Sequence, residues 1–483
     1  MGAGWTMPRT LSRIVRPGQP LLAWLIILGL VGFVLWRNGT SSPQNESNAS
    51  LALVQMQARY LVGVMQLGSP VLSAEAALQQ ADGFLDQPDN ALQLRRAVLI
   101  GELRNSEAAL NCLRTLRQRH QDGEIEPFSE ASEKVAALLE RLYAGYLKVP
   151  GDASSLSSDE QAYLRESLGW FGELALAPAD GDPEVRQQVL GQARRTLFRT
   201  LGFFALGCVA FVLGCGVLAF LAAGLLTLQI RAGRTLMIGR PLPTSGWGGV
   251  YAETFALYLL LYLFLGWLLA GGGQLWLSGL AMIGSLSALI WPVWRGVPLK
   301  QLAEDLGLTR GASLVIEILC GIACYLAALP LLVVGVLLMF GLMLLSRQLG
   351  LEAGSGAASR LPTHPVVGLA LQGGLWLWVQ LFVVAAVLAP LVEEVFFRGV
   401  LYSHLREAMG RFGSVVSVLL ATLLSSFLFA VIHPQGWLAV PVLMALAIAF
   451  SLAREWRGSL IAPMVAHACN NGAVSALLVL IAS

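Results

Sequence analysis

Residues 366–389, VVGLALQGGLWLWVQLFVVAAVLA, carry no charged side chain, and the chain then reads Pro390-Leu-Val-Glu-Glu-Val-Phe-Phe-Arg398. An α-helix crosses the hydrocarbon core of a bilayer in about 20 apolar residues, so the first part is long enough to span. Two adjacent carboxylates directly behind it stand in the wrong solvent. An ionisable group at bilayer depth costs at least about 2.5 kcal/mol and points to function by default.

Eight further segments share this apolar character: about 20–36, 198–228, 248–270, 274–294, 312–346, 412–432, 437–453 and 459–481. The whole chain of 483 residues is 56% hydrophobic and 13% charged. Soluble domains carry about 25% charge, so an ordinary soluble enzyme is excluded, and a disordered or collagen-like chain with it. The net charge of +2 gives no footprint for nucleic acid. Six cysteines, five of them in apolar stretches, do not make a disulfide scaffold. The expected fold is all-α: a polytopic helical membrane protein of about nine transmembrane helices. The segment at 312–346 is too long for one upright span; tilt, a kink at Pro330 or an extension into water would each accommodate it.

Charge is concentrated in one block. Residues 37–197 hold 21 of the 30 acidic and 15 of the 32 basic residues. Stretches such as Ser50–Leu67, Asn90–Arg119 and Ser129–Leu147 repeat apolar residues at three and four, the helical period. Four parts follow: a cytoplasmic N-terminus and signal-anchor helix (1–36), an inserted helical extracytoplasmic domain (37–197), additional transmembrane helices (198–364) and a further membrane core (365–483). Lys and Arg in short loops set orientation. With the N-terminus cytoplasmic, inside loops hold 14 (Arg9, Arg13, Arg16, Arg231, Arg234, Arg240, Arg295, Lys300, Arg310, Arg398, Arg406, Arg411, Arg454, Arg457) and short outside loops hold Arg347 and Arg360.

Three polar constellations fall in the last 120 residues. Pro390 suits the first turn of a new helix, which places Glu393 and Glu394 near a helix N-terminus. Glu394 and Arg398, four apart, share a face and can pair, leaving Glu393 free as a general base. Phe429 precedes His433 by one turn, and Pro434 stops that helix. His467 and Asn471 are four apart inside the last segment. They can offer two donors to a developing oxyanion; alternatively His433, His467 and a glutamate can bind zinc with an open position. Each string alone has a plain structural reading: a helix-end ion pair, an interfacial histidine, interhelical hydrogen bonding. Glu317 and Glu253 read as charges near helix ends that snorkel to water.

Together, Glu393-Glu394-x-x-x-Arg398, Phe429-x-x-x-His433 and His467-x-x-x-Asn471 resemble the three motifs of the CPBP family, the type II CAAX prenyl endopeptidases with their bacterial bacteriocin-processing and self-immunity (Abi) relatives. The resemblance covers residues 365–483, about a quarter of the chain. It implies an intramembrane endopeptidase (EC 3.4) acting on membrane-associated peptides or proteins. By position, Glu393 would activate the attacking water and His433 would help hold and deprotonate it. His467 and Asn471 would stabilise the oxyanion, and Glu394, Arg398 and Phe429 would shape the site. Glu393, His433 and His467 would be the zinc ligands of a metalloprotease; a metal-free glutamate mechanism is equally compatible. The implied partners are the substrate and the lipid bilayer, with no nucleic acid; residues 37–197 lie outside the resemblance and are left to recruit a protein partner or substrate, or simply to contain one. The alternatives are a non-catalytic scaffold or immunity protein of the same family and, further off, a proton-coupled transporter using Glu317, Glu393 and Glu394.

Overall fold

The computed structural model describes residues 18–40, 44–68, 73–85, 89–122, 128–232, 245–269, 275–349 and 374–482. Arg9, Arg13, Arg16, Arg234, Arg240, Arg360 and residues 366–373 lie outside them. Every regular element among the described residues is helical. The chain forms two compact units: Gln44–Leu206 with Leu480–Ala482, and Met1–Pro43 with Gly207–Val479 and Ser483.

Helix α1 (Pro20–Thr40) belongs to the membrane unit. The polar unit contains α2 (Gln44–Gln66), α3 (Ala74–Leu85), α4 (Asn90–Leu103), α5 (Ser106–Gln121), α6 (Glu130–Lys148), α7 (Ser158–Leu168) and α8 (Trp170–Ala175). Side chains cap these helices: Asp89 accepts from Ala91 N, Asn105 from Ala108 N and Ser129 from Ser132 N, and Ser157 with Glu160 makes a capping box. Such caps engage backbone donors the first turn cannot pair, worth about 1 kcal/mol each. The Asn90–Arg119 stretch is broken at Arg104-Asn105, because Asn105 is extended and caps α5. Leu99, Leu139, Leu142, Leu164 and Phe171 are fully buried at the centre. Beside them Arg186 binds both oxygens of Glu102 at 2.8 and 3.1 Å. Burial pushes the Glu102 carboxyl above its ordinary range, and the arginine opposes that shift.

Helix α9 (Pro183–Ala232) has residues in both units. The membrane unit continues with α10 (Gly248–Leu269), α11 (Leu275–Ser285), α12 (Ile290–Trp294), α13 (Leu299–Leu306), α14 (Leu314–Gln348), α15 (Leu375–Ala408), α16 (Ser414–Val431), α17 (Val440–Arg457) and α18 (Ile461–Ala482). Eight stretches among the described residues are long and apolar enough to cross a membrane. The expected ninth segment forms α18, which carries His467, Asn470 and Asn471 and falls outside those eight. Only 6% of the most apolar window of Pro183–Gly224 is buried, and Phe204, Phe220 and Trp267 are at least 70% exposed. Large apolar side chains exposed along whole helices fit a hydrocarbon solvent. This is an integral, multi-pass membrane protein.

Helix α14 answers the question posed by segment 312–346. It runs 35 residues without a break through Pro330, about 52 Å at 1.5 Å per residue. Proline gives no N–H to the carbonyl four residues back. That carbonyl, Leu326 O, faces Gly214 of α9 so closely that a Cβ there would collide with it.

Two sequence expectations are corrected. Pro390 does not open a new helix: α15 is continuous from Leu375 to Ala408, with wider π-helical turns at Val383–Leu388 and Val395–Leu401. The wide turns accommodate the proline inside the helix, so the carboxylates stand mid-helix. Nor do Glu317 and Glu253 snorkel. Glu317 is fully buried and binds Arg457 through two bonds of 2.7 and 3.1 Å. Glu253 accepts from Arg295 at 2.5 Å, Trp291 Nε1 at 2.9 Å and Gln19 N at 2.7 Å.

Candidate active site

Consecutive side chains of a helix turn by about 100°, so Glu393 and Glu394 face different neighbours. Glu394 faces the interior against α16, α17 and α18. Its Oε1 lies 2.9 Å from Arg398 NH1, one turn on, and 2.8 Å from His467 Nδ1. Both side chains of the Glu394–Arg398 pair are essentially inaccessible. Arg398 also donates to Ala447 O at 3.2 Å, and its guanidinium lies over the rings of Phe429 at 4.6 Å and Phe450 at 5.3 Å. Aromatic faces and a carboxylate together let a cation sit where no water reaches.

Glu393 has no arginine partner. Its Oε2 is 4.0 Å from His433 Nε2 and 3.9 Å from His467 Nε2. The other nitrogen of each ring is engaged: His433 Nδ1 lies 2.5 Å from Phe429 O, and His467 Nδ1 points at Glu394. A carbonyl only accepts, and so does a carboxylate paired with arginine, so both rings donate from Nδ1. In the neutral ring Nε2 then holds a lone pair directed at the Glu393 side. Phe429 is the hub of the arrangement. Its ring touches His433 (centroids 4.3 Å apart), His467 (5.9 Å) and Phe397 (5.1 Å), and Phe450 stacks on His467 at 5.0 Å.

The end of α16 and the middle of α15 meet because α15 does not stop at Pro390. Glu393 lies 15 residues before the end of α15, and His433 lies 19 beyond the start of α16. Both are some 20–30 Å along their helices from the short turn at Gly410–Phe412 that joins them. A helix ending at 389 would have put the carboxylates at one side of the membrane and His433 at the other.

Asn471 sits differently from a free donor. Its Nδ2 donates to Ala385 O at 2.8 Å. In the π turn the Ala389 N–H reaches back five residues to Val384 O. The same step from residue 390 would serve Ala385 O, but residue 390 is proline and has no N–H. Asn471 therefore supplies the donor that Pro390 lacks, which ties α18 to α15 beside the carboxylates. Acting on an oxyanion would take its second N–H or an exchange of this bond.

The structure thus brings together Glu393, Glu394, Arg398, Phe429, His433 and His467, with Asn471 one helix face away. Sequence reading missed Phe450, which nothing distinguishes from other aromatics in apolar helices. It also missed the α10 ring Tyr258, stacked on Phe396 with centroids 3.8 Å apart. Among the described residues no group of three His, Cys, Asp or Glu side chains is disposed to hold a metal ion, so the zinc ligand set Glu393, His433 and His467 is not gathered for one.

Residues 375–473 match the family described as type II CAAX prenyl endopeptidase Rce1-like. All three motifs lie inside the Rce1-like segment, which supports the CPBP kinship. A membrane-embedded CAAX protease of Staphylococcus aureus (strain USA300), MroQ, is 34% identical over 89 residues, 18% of this chain and 35% of that protein. The chain therefore matches about a third of the length of this curated relative. No solved structure matches the chain. Helices α1 to α14, with the polar unit among them, lie outside the Rce1-like segment.

Proposed function

We propose that the protein is an intramembrane endopeptidase that hydrolyses peptide bonds of membrane-associated proteins or peptides. The observation that carries this reading is a single carboxylate oxygen, Glu393 Oε2, faced at 3.9 and 4.0 Å by two imidazole lone pairs whose rings are locked from behind. One water bridges such a gap with two ordinary hydrogen bonds of about 2.8 Å meeting at roughly 90°. It would give one proton toward Glu393 and the other toward a histidine Nε2, leaving its oxygen lone pairs free to attack. Glu393 then takes the proton as the oxygen adds to the scissile carbonyl carbon, and the charge moves to the carbonyl oxygen. As the C–N bond breaks, the proton passes to the leaving amine, which restores the carboxylate. Glu394 keeps His467 in the donating tautomer, and Arg398 pairs with Glu394 and holds it in place. No step is assigned to zinc, because the three groups are not disposed as a ligand set. On this reading the purified enzyme keeps its rate after chelation.

The test compares the membrane proteomes of cells making the wild type and Glu393→Gln. A membrane peptide that accumulates uncut only in the variant supports the reading. A variant that rescues every deletion phenotype with no altered terminus overturns it in favour of the non-catalytic scaffold or immunity role, with the polar unit as partner-binding site. Transport through Glu317 is disfavoured, because that carboxylate is clamped by Arg457. The N-terminus is proposed to be cytoplasmic and residues 37–197 extracytoplasmic, on the distribution of Lys and Arg.

A further inference from the structure

Peptide hydrolysis puts negative charge on a carbonyl oxygen, and a water-excluded site must meet it with hydrogen-bond donors. Of the donors nearest Glu393, both histidine Nδ1–H groups are engaged and Asn471 keeps only its second N–H. His433 Nδ1 serves Phe429 O, His467 Nδ1 serves Glu394, and one N–H of Asn471 serves Ala385 O. A donor with no such engagement stands on α10, outside the Rce1-like segment.

Helix α10 runs antiparallel to α15. Gly248 meets His404 and Glu407, Phe255 packs edge-on to Phe397, and Tyr258 stacks on Phe396. Going one turn further along α10, to Tyr262, means going back along α15 to the level of Glu393. Tyr258 and Tyr262, four residues apart on one face and themselves stacked, therefore bracket that level. Tyr258 is 2% exposed, and its ring lies within 10° of parallel to Phe396, so its direction is fixed. Among the described residues no hydrogen bond engages its hydroxyl, whose oxygen keeps some accessible surface.

We infer that Tyr258 is a catalytic residue whose O–H donates a hydrogen bond to the carbonyl oxygen as charge develops there, so that a helix outside the Rce1-like segment completes the site. The inference rests on the endopeptidase reading. The proton stays on the phenol throughout, and no bond is made or broken at Tyr258. Tyr262, one turn away and partly exposed, orders the stack without taking the charge.

The full-length chain, reconstituted in phospholipid vesicles, is given graded amounts of membrane protein from cells lacking it, and the release of new N-termini is followed by mass spectrometry. Tyr258→Phe keeps the ring on Phe396 and removes only the hydroxyl. It is expected to slow the saturated rate about 100- to 1,000-fold, the loss seen when one oxyanion donor is removed. Its half-saturating amount should stay within about threefold of wild type and its melting temperature should be unchanged, since a lost donor acts on the transition state alone. Tyr262→Phe should stay within about threefold in rate. If Glu393→Gln is inactive and Tyr258→Phe cuts like the wild type, or loses activity together with its fold, the role of Tyr258 is overturned and the endopeptidase reading stands. If Glu393→Gln cuts as fast as the wild type, that reading fails and the role of Tyr258 fails with it.

Discussion

Glu393 and Glu394 are adjacent in sequence and opposite in consequence. Glu394 pairs with the buried Arg398, and it also holds a histidine. Removing one partner of such a buried pair costs about 3–5 kcal/mol. Glu394→Gln should therefore lower the melting temperature in detergent markedly, whereas Glu393→Gln should leave it near the wild type; equal melting temperatures would contradict the assignment. The site's charged and imidazole residues were legible in the sequence because lipid makes such groups conspicuous. Phe450 and Tyr258 were not. A ring in an apolar helix looks the same whether it faces hydrocarbon, an arginine or a carboxylate, and only the register of two helices tells which.

Prolines do parallel work in two helices. Pro330 leaves Leu326 O without its N–H, and Gly214 of α9 closes on that carbonyl; Pro390 leaves Ala385 O, and Asn471 of α18 donates to it. Each exposed acceptor becomes a docking point for a distant helix. Gly214→Leu should lower the melting temperature, while Gly216→Leu, where a side chain meets open space, should not. The Asn471 bond is open to a double-mutant cycle. Asn471→Leu alone leaves a half-buried carbonyl unpaired, at up to about 1–3 kcal/mol. In a Pro390→Ala background residue 390 regains an N–H for Ala385 O, so the same change should cost less; strictly additive losses would refute this pairing. Helix existence was legible from composition. The boundary at Pro390 was not, because proline usually does end a helix and a π turn that admits one leaves no local signal.

At the scale of the molecule, the family match ends where α14 and everything before it begin. The apolar outer surface and the eight spanning stretches follow from composition alone. Sidedness rests on Lys and Arg, and labelling tests it. In a background without native cysteines, Glu130→Cys should react with a membrane-impermeant maleimide in intact cells, and Lys300→Cys only after permeabilisation. The reverse pattern would invert the topology. Side chains that read as surface charges, such as Glu317 and Glu253, proved to be buried clamps because their arginine partners are 140 and 42 residues away. Pairings over such distances are invisible in a single sequence.

One such long-range contact bears on how the protein is made. Trp24 Nε1 of α1 donates to His404 Nε2 at 2.9 Å, across 380 residues, and Ala23, Ile27 and Val31 complete the same core. Ribosomes add about 5–20 residues per second, so α1 leaves the ribosome some 20–75 seconds before His404 exists. Over that interval it lacks this hydrogen bond, and α10, the helix it packs against most, is itself made only from Gly248 onward. Its mean hydropathy of 2.0 lets it wait alone in the bilayer. Helix α1 thus enters the bilayer before the α15 side chain that anchors it has been made, and a chaperone or translocon that released it early would leave the nascent core open on the α1 side.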